Sequence, residues 1–248
     1  MYFYIYDDFV STPKLHVTLS GIEAKLALLE IKGPVSRLHT LTNIKEVVRR
    51  AIIRGATTIV VVGDDRILLK VLNVLPDKNI AIGLIPLGPQ LTLAKKLNIS
   101  DVKSGIEAVA GRKLVTINTG MVNKRIFLQK VDITAGSFTA ILDGSLTVKA
   151  DHEQSLITVM NPQLTSDPKS TPTLEVRLMP LKGRWSLGRV KAEQISKLNF
   201  KKLKLKSQTF MKIVIDDAEN TESKIATIDI VKNAAKLIVG RERPSVKE

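Results

Sequence analysis

The chain contains no cysteine. That excludes a disulfide framework, a thiolate zinc site, an iron–sulfur cluster and cysteine catalysis. Histidine is nearly as scarce: His16, His39 and His152 are the full set, and their spacing builds no polyhistidine metal centre. Aromatic residues make up only 4% of the chain, which leaves few parts for a stacking platform on single-stranded nucleic acid. No apolar run reaches about 18 residues, so no segment reads as a membrane span. The N-terminus lacks the basic, apolar and small-residue order of a signal peptide. A soluble cytoplasmic protein is the expectation, with peripheral contact at a membrane left open.

What is present is length and positive charge. The 248 residues are enough for one large domain or two modest ones with a real core. Lys and Arg number 38 against 24 Asp and Glu, a formal charge of +14. The excess is spread along the chain: +5 over the first 105 residues and +9 over the rest. This balance suits an anionic partner such as a nucleotide, a nucleic acid or an acidic lipid headgroup. Nucleic acid ranks below lipid, because no recognised DNA or RNA motif accompanies the charge. A homodimer is left open.

Residues 1–105 alternate between strand and helix patterns. Tyr2 to Tyr6 reads as a strand, Leu15 to Leu29 as a helix, and Val35 to Leu38 as a short strand. Asn43 caps a helix over Ile44 to Arg54, ended by Gly55. Thr57 to Val62 and Ile80 to Ile85 are continuous apolar or β-branched runs, the pattern of buried parallel strands. Helical segments at Ile67 to Leu75 and Leu91 to Leu97 follow them. The expected fold is α/β, with an N-terminal, mainly parallel three-layer sheet domain over 1–105.

From about residue 106 to 240, strand patterns follow one another with little helix between. They fall at 112–119, 124–133, 138–142, 145–150, 155–160, 173–179, 185–193, 196–206, 210–215, 224–230 and 235–240. This predicts a mostly antiparallel β-sandwich domain. Its last strand is free to return to the first domain, and 241–248 reads as a flexible tail. Asn161 to Pro172 has loop composition. Lys201, Lys202, Lys204 and Lys206 interleave with Leu203 and Leu205. That is either the wet face of one strand or a basic surface for phosphate or an acidic membrane.

Two strand–turn–helix units carry the candidate chemistry. One is Val60-Val61-Val62-Gly63-Asp64-Asp65-Arg66-Ile67, the other Ile82-Gly83-Leu84-Ile85-Pro86-Leu87-Gly88-Pro89-Gln90. Each places a glycine at the carboxyl end of a buried strand, where open α/β sheets bind ligands. Neither is a GxGxxG or Walker A sequence, so the dinucleotide and P-loop readings fail on pattern. Ordinary tight turns remain the alternative.

The arrangement resembles the diacylglycerol kinase catalytic family, which includes bacterial lipid kinases and sphingosine kinases and is distantly related to NAD kinases. The family signature Gly-Gly-Asp-Gly-Thr falls on Gly63-Asp64-Asp65-Arg66-Ile67, where Gly63 and Asp65 survive. A second signature, Pro-x-Gly-Thr-x-Asn-Asp, falls on Pro86 to Thr92, where Pro86 and Gly88 survive. Ile117 to Asn123 with Phe127, Thr171 to Val176, and Asp217-Ala218-Glu219 are similar to later family segments. The resemblance implies an ATP-dependent phosphoryl transfer to a lipid hydroxyl, with magnesium. It places Gly63, Asp64, Asp65, Arg66, Pro86 and Gly88 around nucleotide; Asp167 and Glu175 are candidate magnesium-site oxygens, with a loop and a strand face as their alternative readings. Asp217 and Glu219 become the catalytic candidates, with a surface hairpin turn as their alternative.

The departures from the family pattern have physical content. Asp64 adds charge and a side chain where glycine would admit phosphate to bare backbone. Arg66 is placed to pair with a neighbouring carboxylate or to touch the phosphate. Ile67 lacks a hydroxyl, and Pro89 lacks both a hydroxyl and a backbone donor. Leu91 and Thr92 replace an amide and a carboxylate. Phosphoryl transfer depends on such donors and on metal, so a catalytically inactive relative binding nucleotide, anionic lipid or protein stands beside the active kinase.

Overall fold

The computed structural model describes residues 1–75, 79–150, 154–161, 174–180 and 196–241. The chain divides into two compact units. One comprises Met1–Ile117 with Asn233–Glu248, the other Asn118–Lys232.

In the first unit β1 (Tyr2–Tyr6), β2 (Val35–Arg37), β3 (Thr58–Gly63) and β4 (Ala81–Pro86) are parallel, in the order β2-β1-β3-β4. β14 (Glu219–Ile238) returns to this unit through its last residues and adds a parallel neighbour to β4 at Lys236 and Leu237. β3 and β4 are buried at every position, which is why they read as unbroken apolar runs rather than alternating ones.

Helix α1 (His16–Leu28) and α5 (Val102–Gly111) cover the sheet face that bears Tyr4, Tyr6, Val60 and Val62. α2 (Ile44–Ile53) and α3 (Asp65–Val74) pack on each other. As the spacing predicts, Asn43 caps α2, its side chain accepting from Lys45 N–H, and Gly55 follows at φ +83°. The short α4 (Thr92–Lys96) follows β4. α5 was not expected, since its two glycines and β-branched residues weaken the helical pattern. Its signal is a capping box, in which Asp101 and Ser104 reciprocally satisfy each other's backbone.

The second unit is antiparallel. β10 (Ser155–Met160), β11 (Leu174–Pro180), β12 (Ser196–Phe200), β7 (Lys130–Ala135) and β13 (Lys202–Ile215) form the order β12-β11-β10-β7-β13-β14. β5 (Leu114–Val122) pairs with β6 (Arg125–Phe127) in a hairpin. β8 (Phe138–Leu142) pairs with β9 (Leu146–Ala150) and with the first half of β13. Alternate residues such as Val131, Ile133, Ile157, Val159, Leu203, Leu205, Ile213 and Ile215 fill its core.

Two of the differences from the expected strands come from carboxylates distant in sequence. The single strand over 124–133 splits because the N–H groups of Leu128, Gln129 and Lys130 turn to the Asp216 carboxylate instead of a ladder. The run 196–206 breaks at Lys201, where Asp143 Oδ1 accepts from Lys201 N–H at 3.0 Å and Lys202 N–H at 2.8 Å. The runs at 224–230 and 235–240 join into one strand, β14. The expected strand 185–193 lies outside the described residues, as do Trp185 and His152. Among the described residues no helix is long and apolar enough to cross a membrane.

Candidate functional site

The carboxyl ends of β1, β3 and β4 bring three loops together in the first unit. Gly63 O accepts from Leu87 N–H at 2.8 Å, and Gln90 O accepts from Asp65 N–H at 2.9 Å. Gly63 and Gly88 therefore stand in neighbouring loops at one sheet edge. Gly63 has no room for a side chain, since an added Cβ would lie 2.9 Å from Asp7 Cβ. Gly88 has φ +132°, and a Cβ there would meet the Phe9 ring at 2.6 Å and Asp64 Cβ at 3.0 Å.

Asp64 is the N-cap of α3 and is fully buried. Its Oδ1 accepts from Arg66 N–H at 3.0 Å. Its Oδ2 accepts from Arg66 Nε at 2.9 Å and faces Arg66 Nη2 at 2.7 Å. Asp64 thus fills the start of α3 with a carboxylate, which the unsatisfied N–H groups and dipole of a helix N-terminus favour. The hydrogen bond to Asp64 raises the pKa of Arg66 above its ordinary value.

Asp65 is buried too and points the other way. Its carboxylate accepts from Leu93 N–H at 2.7 Å and Ala94 N–H at 3.2 Å, closing the start of α4. Burial pushes its pKa up, while the bonds from Leu93, Ala94 and Thr92 pull it down and Asp64 adds to the rise. Asp7, at the end of β1, is the residue that sequence reasoning missed. Burial raises its pKa, and Asp64 contributes to the rise. Its signal was available, because Asp7 follows the carboxyl end of a strand as Gly63 and Gly88 do.

Several donors in these loops already have partners. Arg66 N–H is held by Asp64, Asp65 N–H by Gln90 and Leu87 N–H by Gly63. Pro89 has none, and the Arg66 guanidinium is closed on Asp64. The carboxylates of Asp7 and Asp64 stand close together at this loop, Asp64 already paired with Arg66. A nucleotide triphosphate bound here would meet the Asp64–Arg66 pair at the start of α3.

The second acidic segment is the β13–β14 turn, in the second unit. Asp216 is buried at φ +48° and accepts from Leu128, Gln129 and Lys130 N–H at 2.7, 2.8 and 2.8 Å. Burial pushes its pKa up to about 6 against the opposing pull of those bonds. Asp217, at φ +56°, is exposed and its Oδ1 faces Lys130 Nζ at 2.9 Å. Lys130 also holds Asp132 at 2.7 Å. Burial would lower the lysine's pKa, but the bonds to Asp132 and Asp217 raise it. Glu219 faces Arg125 at 2.9 Å. Glu175 lies in β11 opposite Met160 and Asn199, and Asp167 lies outside the described residues. Among the described residues no group of three histidine or acidic side chains is arranged to hold a metal.

Residues 3–122 match the family described as Diacylglycerol kinase catalytic domain. A comparison with curated proteins found no match. Among solved structures, the chain is similar to a diacylglycerol kinase from Bacillus anthracis str. Sterne, with a TM-score of 0.76 and 14% identity, over 99% of this chain and 98% of that one. A second structure from the same organism, provisionally assigned the same activity, has a TM-score of 0.73 at 14% identity, over 99% and 97% of the two chains. At such identities the likeness establishes the fold: α/β with a largely parallel N-terminal region and a more antiparallel C-terminal one.

Proposed function

We propose that this chain, whose residues 3–122 carry the diacylglycerol kinase catalytic domain match, is a catalytically silent relative of those kinases that works by binding. In finer detail, we read the first unit as a three-layer α/β domain and the second as a β-sandwich. The observation that carries the functional reading is the Asp64–Arg66 pair. The glycines that the family resemblance expects at these two positions would leave backbone open to phosphate. Here a buried carboxylate and its own arginine take that space.

The β13–β14 turn supports the same reading. A general base must be free to accept a proton from the acceptor hydroxyl. The Asp217 carboxylate is held by Lys130 and that of Glu219 by Arg125. The net charge of +14 favours an anionic partner.

Calorimetric titration with magnesium and a non-hydrolysable ATP analogue tests the reading. The unaltered protein is expected to give no saturable heat. The double variant Asp64→Gly, Arg66→Gly should gain nucleotide binding while keeping its fold. Magnesium-dependent phosphorylation of diacylglycerol by the unaltered protein, abolished by Asp217→Asn, would overturn it and restore the active kinase.

A further inference from the structure

A groove of about 880 Å³ runs along α5, within the first unit. Its size lies in the range of about 300–1,000 Å³ usual for small-molecule sites. The last turn of α1, the link from α4 to α5, one side of α5 and the residues just beyond α5 and β14 line it. Backbone contacts draw the end of β14 into place. Val239 N–H donates to Lys113 O at 3.0 Å, and Gly240 N–H donates to Leu97 O at 2.8 Å. Position 240 has room only for glycine, because an added Cβ would collide with Asn98 O. This close approach sets the next residue, Arg241, at the groove.

Cations from three separate elements meet in this groove. Lys25 comes from α1, Lys113 from just beyond α5 and Arg241 from just beyond β14. Among the described residues Glu107, midway along α5, is the only carboxylate in the lining. The side chains of Lys25, Asn98, Glu107 and Arg241 make no hydrogen bond or ion pair with another described residue. Lys25 also complements the dipole at the end of α1. Arg241 and Glu107 have no such duty, since one follows a strand and the other sits inside a helix. Gly111 is exposed in the lining, and an added Cβ there would meet nothing within 4 Å.

We infer that this groove binds a small organic anion that carries hydroxyl groups. Arg241 presents a planar fork suited to a phosphate or a carboxylate, and Lys25 and Lys113 add point charges. Glu107 accepts from a hydroxyl, and Asn98 both donates and accepts. A ligand charged along its whole length, such as an oligophosphate, would meet the Glu107 carboxylate and be repelled. Among the described residues the lining holds no aromatic ring on which a base could stack. A compact anion with its charge confined to one group therefore suits the groove better than a nucleotide does. The inference goes beyond the silent-kinase reading and does not use the loop that bears Asp64 and Arg66.

The test is calorimetric titration of the full chain with glucose 6-phosphate, gluconate, inorganic phosphate and glucose. Saturable binding of glucose 6-phosphate or gluconate is expected, about tenfold tighter than that of inorganic phosphate through the added hydroxyl bonds. Glucose should not bind. Which of the two organic anions binds more tightly tells a phosphate group from a carboxylate. Arg241→Gln should weaken the organic anion about tenfold. Glu107→Ala should move two probes in opposite directions: weaker for the organic anion, which loses a hydroxyl partner, and tighter for inorganic phosphate, which loses a repelling charge. Gly111→Phe keeps every charge but fills the groove, and should abolish binding with an unchanged circular dichroism spectrum. Arg50→Gln, at an exposed position of α2, removes the same charge elsewhere and should leave binding unchanged. Equal losses in Arg50→Gln and Arg241→Gln would reduce the effect to net charge and overturn the inference. So would undiminished binding by Gly111→Phe, or no saturable binding of either organic anion by the unaltered protein. The loop variant Asp64→Gly, Arg66→Gly should bind the organic anion as before, which separates failure of this inference from failure of the nucleotide reading.

Discussion

The guanidinium of Arg66 closes on the buried carboxylate of Asp64 with two nitrogens on one oxygen, while the backbone N–H of the same arginine takes the other oxygen. Two residues apart, they form a self-contained unit at the start of α3. Its arginine is 44% exposed and its aspartate wholly buried. Arg66→Ala leaves that carboxylate uncompensated beside Asp7 and Asp65. Removing one partner of a fully buried pair costs about 3–5 kcal/mol. Solvent at the arginine reduces this to about 1–2 kcal/mol. Urea denaturation should show the loss, and Arg66→Lys should recover only part of it. An unchanged midpoint for Arg66→Ala would mean that the pair does not hold the loop.

Asp65 ties the β3 loop to the start of α4 through Leu93 and Ala94 N–H. Asp65→Ala strands two buried donors and removes a helix cap, at a cost of about 2–4 kcal/mol. Asp65→Asn keeps one acceptor oxygen and should cost less. Hydrogen exchange at Leu93 and Ala94 should accelerate in both variants, more in the alanine form. Protection equal to wild type would assign the cap elsewhere.

Gly88 is confined by backbone and neighbours together. At φ +132° a side chain is strained whatever the space, and the Phe9 ring occupies that space. Gly88→Ala should destabilise the chain by about 2 kcal/mol or more. Adding Phe9→Ala should give a coupling of about 1 kcal/mol in a double-mutant cycle, because it removes the collision but not the strain. Purely additive effects would place the ring away from Gly88.

Asp216 sets a pH dependence of unusual sign for a carboxylate. Its folded pKa, about 6, lies above its ordinary 3.8. Between those values the folded state binds the proton more tightly than the unfolded chain. The contribution of this group is thus fully present below pH 3.8 and is lost as pH rises through about 6. Most carboxylates with folded-state partners act in the opposite sense. The stability difference between wild type and Asp216→Asn should therefore shift against wild type by about 2–3 kcal/mol between pH 4 and 7. A flat difference across that range would show that burial does not raise this group.

Much of the first unit was legible because its signals are local. β3 and β4 are apolar at consecutive positions, Asn43 announces α2, and glycines stand at strand ends where α/β sheets open. α5 was hidden because its glycines and β-branched residues dilute the periodicity, and only its capping box marks it. The split between β6 and β7 was not legible. It depends on Asp216, more than eighty residues away, whose carboxylate takes three N–H groups out of the ladder. The break between β12 and β13 depends likewise on Asp143.

The sequence by itself determined the order of the strands β1 to β4 and helices α1 to α4, the neighbouring positions of the two glycine loops, and the changed residue types at 64 and 66. Those follow from side-chain period and backbone preference, which act over a few residues. Only the tertiary structure decided which partner each charge takes. Adjacent in sequence, Asp64 turns to Arg66 and Asp65 to the start of α4. Asp217 goes to a lysine from a distant strand. A carboxylate's role is set by which donors surround it after burial, and burial brings together groups that no spacing in the chain records.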